Sequence, residues 1–182
     1  EIGAAAEFLG IYADLAFFNS NITDLIQIVG NDQGDLQFQN IDESVYRGAE
    51  ITLRKEIAGI NIMANYTFLD AVYTYMGTEF DDKLQPQHNF NAAVSRKYDF
   101  GFRWIFEANY LSESNMLDTR DEQARYVELD ARTLINAKLS QQITDNFDIY
   151  VRINNILDDY YESVPGYPQP GRTIWAGVKF NR

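Results

Sequence analysis

The sequence lacks cysteine, and it has one histidine, four prolines and few positive charges. Without cysteine, the chain forms no internal disulfide and no thiolate metal site. The formal net charge of −12 argues against nucleic-acid binding, which requires basic patches. No run of about 18 apolar residues occurs, which excludes a transmembrane helix. A membrane β-barrel is not excluded, because its strands give only a weak hydropathy signal.

The chain starts at Glu1 rather than at methionine, and it shows no signal peptide. We therefore expect a mature, trimmed or partial chain. Aromatic residues make up 14% of it. In a soluble protein these would form a core, whereas in a membrane barrel they would form girdles at the two interfaces.

Most of the chain shows the period-two alternation that is typical of β-strands. The clearest example lies near the end, where Phe147, Ile149 and Val151 alternate with charged or polar residues. Roughly nine such segments are predicted, and none has a helical period. They are residues 1–8, 11–28, 45–56, 60–75, 88–98, 100–111, 127–140, 147–154 and 172–180.

The connections between these segments alternate in length. Short ones are predicted at Leu9-Gly10, Ala58-Gly59, Tyr98-Asp99 and Thr144-Asp145. Long polar ones are predicted at 30–44, 77–83, 112–125 and 162–171. In an up-and-down antiparallel sheet, alternate connections share a side, so all long loops would lie on one rim. Outer-membrane barrels have this asymmetry, and the strands reach the about 9–11 residues that cross a bilayer.

Aromatic residues beside the short turns predict a girdle at the periplasmic interface. They are Phe8, Tyr98, Phe100, Phe102, Phe147 and Phe180.

The long loops carry much of the acidic excess. The residues are Asp32, Asp35, Asp42, Glu43, Glu79, Asp81, Asp82, Asp118, Asp121 and Glu122. Solvated loops are one interpretation of this pattern. Capture of calcium or of basic substrate groups at the outer face is the other.

Several motifs resemble those of TonB-dependent outer-membrane receptors. The closing pattern Asn154-Asn155-Ile156-Leu157-Asp158-Asp159-Tyr160-Tyr161, followed by Pro170-Gly171-Arg172 and a strand ending at Phe180, is similar to that family's C-terminus. Tyr46-Arg47-Gly48-Ala49-Glu50, Asn65-Tyr66-Thr67-Phe68-Leu69-Asp70-Ala71 and Pro86-Gln87-His88-Asn89 resemble its strands. The departure is Asn181-Arg182, since the family usually ends on the aromatic residue.

The resemblance implies a barrel of about 22 strands with an N-terminal plug and a TonB box. Residues 1–182 would then form the C-terminal part of that barrel, because an open sheet edge is not tolerated in lipid. The implied activity is not enzymatic. It is TonB-dependent import of a scarce nutrient, with a ferric siderophore as the first expectation. The implied partners are outer-membrane lipid, TonB through a region preceding this chain, the barrel-assembly machinery through the last strand, and a small-molecule metal chelate.

Two sets of candidate site residues follow from position at the loop rim and from the alternation of side chains along each strand. Rim aromatics and loop cations are the candidates for substrate contact, since aromatic rings give flat contacts and arginine pairs with anionic chelators. They are Tyr73, Tyr75, Arg120, Arg125, Tyr126, Tyr161 and Tyr167. A second set is expected to face the lumen and to form a charge network there. It consists of Arg103, Glu107, Glu128, Asp130, Arg132 and Arg152.

His88 is the one candidate for a metal or acid–base role. It has no His or Cys nearby in the sequence, which favours a structural hydrogen bond. We predict no catalytic residue, no metal site and no cofactor. Asp158 and Asp159 are adjacent in a strand and would face opposite ways.

The sequence pattern is also compatible with two other classes of protein. One is a complete small barrel of 8–10 strands acting as a pore, an adhesin or a lipid-modifying enzyme. The other is a soluble β-sandwich or lipocalin-like binder, which would bury the apolar face as a core.

Overall fold

The computed structural model describes residues 1–30, 36–118, 120 and 125–180, and it shows strands and turns throughout that part. The strands are β1 Ile2–Phe8, β2 Ile11–Gly30, β3 Leu36–Ile57, β4 Ile60–Tyr75, β5 Thr78–Asp81, β6 His88–Lys97, β7 Phe102–Leu111, β8 Ser114–Asp118, β9 Arg125–Leu129, β10 Arg132–Thr144, β11 Phe147–Asn154, β12 Glu162–Val164, β13 Tyr167–Pro168 and β14 Thr173–Phe180. No described segment forms a helix long and apolar enough to span a membrane.

Nine of these strands form one antiparallel sheet in chain order. The order is β1-β2-β3-β4-β6-β7-β10-β11-β14, and β5 pairs with the end of β4. Two small sheets, β8–β9 and β12–β13, lie in the connections between the larger strands. Among the described residues β1 and β14 each pair on one side, so the sheet is open. The expectation of an up-and-down antiparallel sheet of about nine strands is thereby confirmed.

Tight turns connect the strands at one end of the sheet, which we call the short-turn rim. In Leu9-Gly10 both residues have positive φ (51° and 68°), and in Ala58-Gly59 the angles are 50° and 76°. Two-residue turns of this kind match the right-handed twist of the flanking strands. The turns at 98–101 and 145–146 complete this rim. The opposite end, where β5, β8–β9 and β12–β13 lie, is the long-loop rim.

The register of the strands places apolar and polar residues on opposite faces. Directly opposite partners across the sheet share a face. The apolar row defines the outward face and comprises Ala13, Leu53, Ala64, Ala92, Ala108 and Ile135. The neighbouring row defines the lumen face and comprises Tyr12, Arg54, Met63, Ala93, Glu107 and Asn136.

Very little of the described sheet is buried. Of the described Ala, Val, Ile, Leu, Met, Phe, Trp and Tyr side chains, those of Ile41, Ala71 and Ala137 are the buried ones. Apolar side chains of the outward face such as Ile174 (68% exposed) lie open. The described sheet therefore has no second layer packed on it, unlike a β-sandwich.

The predicted aromatic residues gather at the short-turn rim. The ring centroid of Tyr98 lies 5.2 Å from that of Phe100 and 6.0 Å from that of Phe102. Phe147 lies directly opposite Phe180. Their clustering fits a girdle, and their contact with an interface stays a prediction.

The long-loop rim differs from the expectation in two ways. Strand β3 starts at Leu36, so most of the predicted loop 30–44 is a hairpin of β2 and β3. Strand β3 has 22 residues and extends about 70 Å, far more than the about 30 Å of a bilayer core. The prediction of one strand over 127–140 was wrong, because Asp130 and Ala131 separate β9 from β10. Asn181 and Arg182 lie outside the described residues.

Candidate functional site

A buried carboxylate, Asp82, organises the long-loop rim beside β3 and β4. Its side chain is 8% exposed. The Tyr46 hydroxyl donates a 3.3 Å hydrogen bond to its Oδ2, and the Leu84 amide donates one of 3.1 Å to its Oδ1. The Asp82 amide in turn donates to the carbonyl of Ala71 at 2.8 Å. Asp82 therefore ties the segment after β5 to both strands.

Replacing Asp82 by alanine should loosen this segment. The Tyr46 hydroxyl and the Leu84 amide would lose a buried acceptor, which costs about 1–3 kcal/mol. Hydrogen–deuterium exchange of residues 82–87 should speed up accordingly. Tyr46→Phe removes one donor and leaves the carboxylate bonded to Leu84, so its effect should be smaller. Equal exchange in Asp82→Ala and the unaltered protein would refute this role.

A tyrosine from hairpin β8–β9 lies close to this carboxylate. The Tyr126 hydroxyl donates to the carbonyl of Ile28 at 3.1 Å, which connects the hairpin to β2. Partial burial raises the pKa of Tyr126, and Tyr73 and Asp82 add to the rise. The Tyr73 ring stacks on Phe80 with centroids 5.3 Å apart. The rim here presents phenol groups that stay protonated at neutral pH.

A second cluster joins the hairpins β8–β9 and β12–β13, and we call it the clasp. Arg120 Nε and Nη2 donate to the two oxygens of Asp118 at 2.8 and 2.7 Å. This bidentate pair holds the pKa of Asp118 at about 2, below its ordinary 3.8. The Asp118 side chain is 3% exposed and that of Arg120 is 51% exposed. The carboxylate is therefore buried, whereas about half of the arginine side chain is exposed.

The other half of the clasp consists of Glu162 and Gly166. Glu162 Oε2 accepts the Gly166 amide at 2.6 Å, and its Oε1 accepts the Tyr160 hydroxyl at 2.7 Å. These two bonds lower the pKa of Glu162. Gly166 has φ of +73°, and a Cβ there would overlap the Arg120 guanidinium. Glycine is therefore required both by the backbone and by the arginine that lies on it.

The clasp should open in acid. Because the folded pKa of Asp118 is depressed to about 2, its ionised form stabilises the clasp above about pH 4. That contribution is lost as the pH falls from about 4 towards 2. Spin labels on Glu128→Cys and Val164→Cys should therefore show a wider distance at pH 1.5, below the folded pKa of Asp118, than at pH 5. With Asp118→Asn the distance should already be wide at neutral pH. A distance that changes between pH 8 and 5 instead would contradict this assignment.

A cavity of about 300 Å³ lies between the segment after β5 and hairpin β8–β9. The charged residues of its lining are five acidic ones, Asp70, Asp81, Asp82, Glu113 and Glu128, and one basic one, Lys83. Its wall is closed by the Asn115 amide, which donates to the carbonyl of Lys83 at 2.6 Å. Within the described ranges, no three His, Asp or Glu side chains converge as metal ligands would. The lining favours positively charged groups over anions.

Comparison with known proteins decides the family. Residues 1–156 match the family described as TonB dependent receptor-like, beta-barrel. The chain belongs to the TonB-dependent receptor family. In sequence it is similar to the vitamin B12 transporter BtuB of Vibrio cholerae, with 25% identity over 95% of this chain and 27% of that protein.

Solved structures show the same fold. The pyoverdine outer membrane receptor FpvA from Pseudomonas aeruginosa aligns with a TM-score of 0.77 and 17% identity, over 99% of this chain and 29% of FpvA. The ferric-catecholate import receptor Fiu of E. coli aligns with a TM-score of 0.74 and 17% identity, over 98% of this chain and 26% of Fiu. This receptor chain thus spans about a quarter of the length of each relative.

All seven rim candidates of this receptor lie at the long-loop rim, in two groups. Tyr73, Tyr75 and Tyr126 lie near hairpin β2–β3, where the Tyr75 hydroxyl donates to Gln39 Oε1. The other four lie around the clasp. Arg120 pairs with Asp118, and Arg125 lies opposite Asp118 in the β8–β9 register. The Tyr161 ring centroid is 5.4 Å from Cζ of Arg132, and Tyr167 is exposed on β13. Substrate contact by these residues stays a prediction.

Four of the six predicted lumen charges lie on the barrel strands of the receptor. Arg103 and Glu107 are on β7, Arg132 is on β10 and Arg152 is on β11, all with lumen-face parity. Glu128 lies in hairpin β8–β9 and Asp130 lies between β9 and β10, so both belong to the long-loop rim. Among described residues the ion pair within 4.0 Å is Arg120–Asp118, so a network of these six charges stays a prediction.

His88 lies at the start of β6 among aromatic rings. Its Nδ1 and the Tyr66 hydroxyl are 2.8 Å apart, and its ring stacks with that of Tyr66 at 6.1 Å. Phe68 approaches it at 5.5 Å. These contacts agree with the structural hydrogen bond that the sequence favoured.

The acidic loop residues are less uniform than the sequence indicated. Asp82 and Asp118 are buried and bonded to protein groups, so for them solvation was the wrong interpretation. Asp32, Asp35, Asp121 and Glu122, and the side chain of Asp42, lie outside the described residues. Glu162 was not among the predicted site residues. The Asp118–Arg120 pair could have been found, because an Asp at the end of a strand commonly accepts the backbone amide two residues on, as Asp118 does from Arg120 at 3.1 Å.

Proposed function

We propose that this chain forms the C-terminal part of the barrel wall and the outer hairpins of an outer-membrane receptor that imports a metal chelate. The match of residues 1–156 to the TonB-dependent receptor barrel carries the proposal. The exposed apolar outward face supports it, because a barrel wall places such a face against lipid. The long-loop rim then lies outside the cell and the short-turn rim faces the periplasm.

A ferric siderophore is the first candidate substrate. It is supported by rim tyrosines and arginines of the kind that recognise flat, anionic chelates. The structural relatives FpvA and Fiu are described as pyoverdine and ferric-catecholate receptors. A corrinoid is the second candidate, because the sequence relatives of Vibrio cholerae and Photobacterium profundum are named vitamin B12 transporters.

The partners follow from this proposal. A plug domain and TonB would act through a region preceding this chain, and the last strand, ending at Phe180, would be read by the barrel-assembly machinery. The chain supplies wall and loops, and it has no enzymatic role in import.

Two measurements test the proposal. On a gel of the source cells' outer membrane, an antibody to this chain should detect a heat-modifiable band several-fold heavier than 21.0 kDa. Deletion of the gene should impair growth under iron limitation if the substrate is a siderophore. It should impair cobalamin-dependent growth if the substrate is a corrinoid. A native band near 21 kDa would refute the large receptor and favour a small self-contained barrel that acts as a pore or adhesin.

A further inference from the structure

A groove of about 930 Å³ runs along the lumen face of β10, β11 and β14. Its lining includes Lys138, Arg152 and Lys179, and no Asp or Glu. The chain as a whole carries a net charge of −12. This groove is therefore a locally positive surface on an acidic protein.

Two of these cations lie side by side. Lys138 and Arg152 are direct partners across β10 and β11. Like charges placed directly opposite one another on a sheet are destabilising. A bound anion between them would remove that repulsion.

The present contacts of both cations are with neutral groups. Lys138 Nζ lies 4.8 Å from the centroid of the Tyr150 ring, and Arg152 Nε donates to Asn154 Oδ1 at 2.7 Å. Neither makes an ion pair with a carboxylate in the described part of the chain. In the strand register, Asp148 lies opposite Lys179, and Glu107 lies opposite Asn136. Neither carboxylate is therefore a direct cross-strand partner of these two cations.

An aromatic surface lies next to the cations. Trp175 is the direct partner of Arg152 on β14, and it is 61% exposed. Small-molecule sites of about 300–1,000 Å³ combine aromatic walls with a few polar groups in this way. Arginine pairs bidentately with carboxylates and stacks on flat groups.

We propose that Lys138, Arg152 and Trp175 form an anion-binding subsite in the lumen wall for a small molecule that carries carboxylates on a flat ring. This inference rests on the proposed function, because the face encloses a lumen only in a barrel. The subsite restricts the substrate class to anionic ligands that pass along the lumen face of β10, β11 and β14.

The test uses the full-length receptor in detergent and benzene-1,3-dicarboxylate as the probe. Calorimetry at low ionic strength should show binding of the dicarboxylate, while the neutral diamide of the same shape should give no heat. Lys138→Gln and Arg152→Gln should each weaken binding about fivefold, as expected for an exposed charge pair of about 1 kcal/mol. Lys138→Arg should retain it. Lys97→Gln is the matched control, since it removes a lumen-face lysine of β6 outside the groove.

Three outcomes would overturn the inference. The diamide could bind as tightly as the dicarboxylate. The Lys138→Gln/Arg152→Gln double variant could bind the dicarboxylate with unchanged affinity. The dicarboxylate could also bind only after the plug is removed, which would show that a carboxylate of the receptor itself occupies the groove. Failure of nutrient uptake with dicarboxylate binding intact would refute the proposed function alone. Normal uptake without dicarboxylate binding would refute this subsite alone.

Discussion

Val151→Arg should lower the free energy of unfolding in lipid vesicles by about 2–4 kcal/mol, because it would put a charge near the bilayer midplane. Val151 lies in the middle of β11, directly opposite Leu139 and Ala176. All three residues belong to the outward face. The midpoint of a urea titration, followed by heat-modifiable gel migration, measures the loss.

The matched control for this variant is Ser140→Arg. Ser140 lies opposite Tyr150, one residue along the strands from Val151, and on the lumen face. At the same depth but in an aqueous lumen, arginine should cost less than about 1 kcal/mol. Equal losses in the two variants, or a larger loss at Ser140, would show that the faces are assigned the wrong way round.

Gly48→Ala should weaken the packing of β3 against its neighbours. A Cβ at Gly48 would overlap the ring of Phe18 on β2 and the backbone carbonyl of Phe68 on β4. The ring can rotate, but the carbonyl belongs to the β3–β4 ladder and cannot. Overpacking of this kind costs about 1–3 kcal/mol, and the backbone overlap places Gly48→Ala at the upper end of that range.

Gly177→Ala provides the comparison for Gly48→Ala. At Gly177 the close neighbours are atoms of the Tyr150 side chain, which can swing away. The folded fraction in vesicles should fall clearly with Gly48→Ala and slightly with Gly177→Ala. If both variants folded equally well, the glycine at position 48 would have no packing role.

The barrel wall could be predicted from the sequence because each strand there separates lipid from water. Between Ile60 and Tyr75 one face must be apolar and the other polar, so alternation marks the strand and its bounds. The tight turns Leu9-Gly10 and Ala58-Gly59 were equally visible, since glycine allows the positive φ that such turns need.

The long-loop rim could not be predicted in the same way, because both faces of its strands meet water or other loops. Strand β8 pairs with β9, and the face that carries Met116, Val127 and Leu129 also carries Ser114, Asp118 and Arg125. Burial of Asp82 depends on Tyr46, which is 36 residues away along the chain. No local pattern reports such a contact, and composition alone suggested a solvated carboxylate.

The pairing order of the sheet also bears on how the chain assembles. From β2 onwards, each of the nine strands pairs with the one before it in the sheet. The β1–β2 and β3–β4 connections contain two residues each, Leu9-Gly10 and Ala58-Gly59. Contacts close in sequence form with little loss of chain entropy, so their contact order is low for an all-β protein. The wall can therefore form hairpin by hairpin, with each completed strand acting as the template for the next. Slow steps should fall where β4 joins β6, β7 joins β10 and β11 joins β14, since each of these pairings must wait for an intervening hairpin to close.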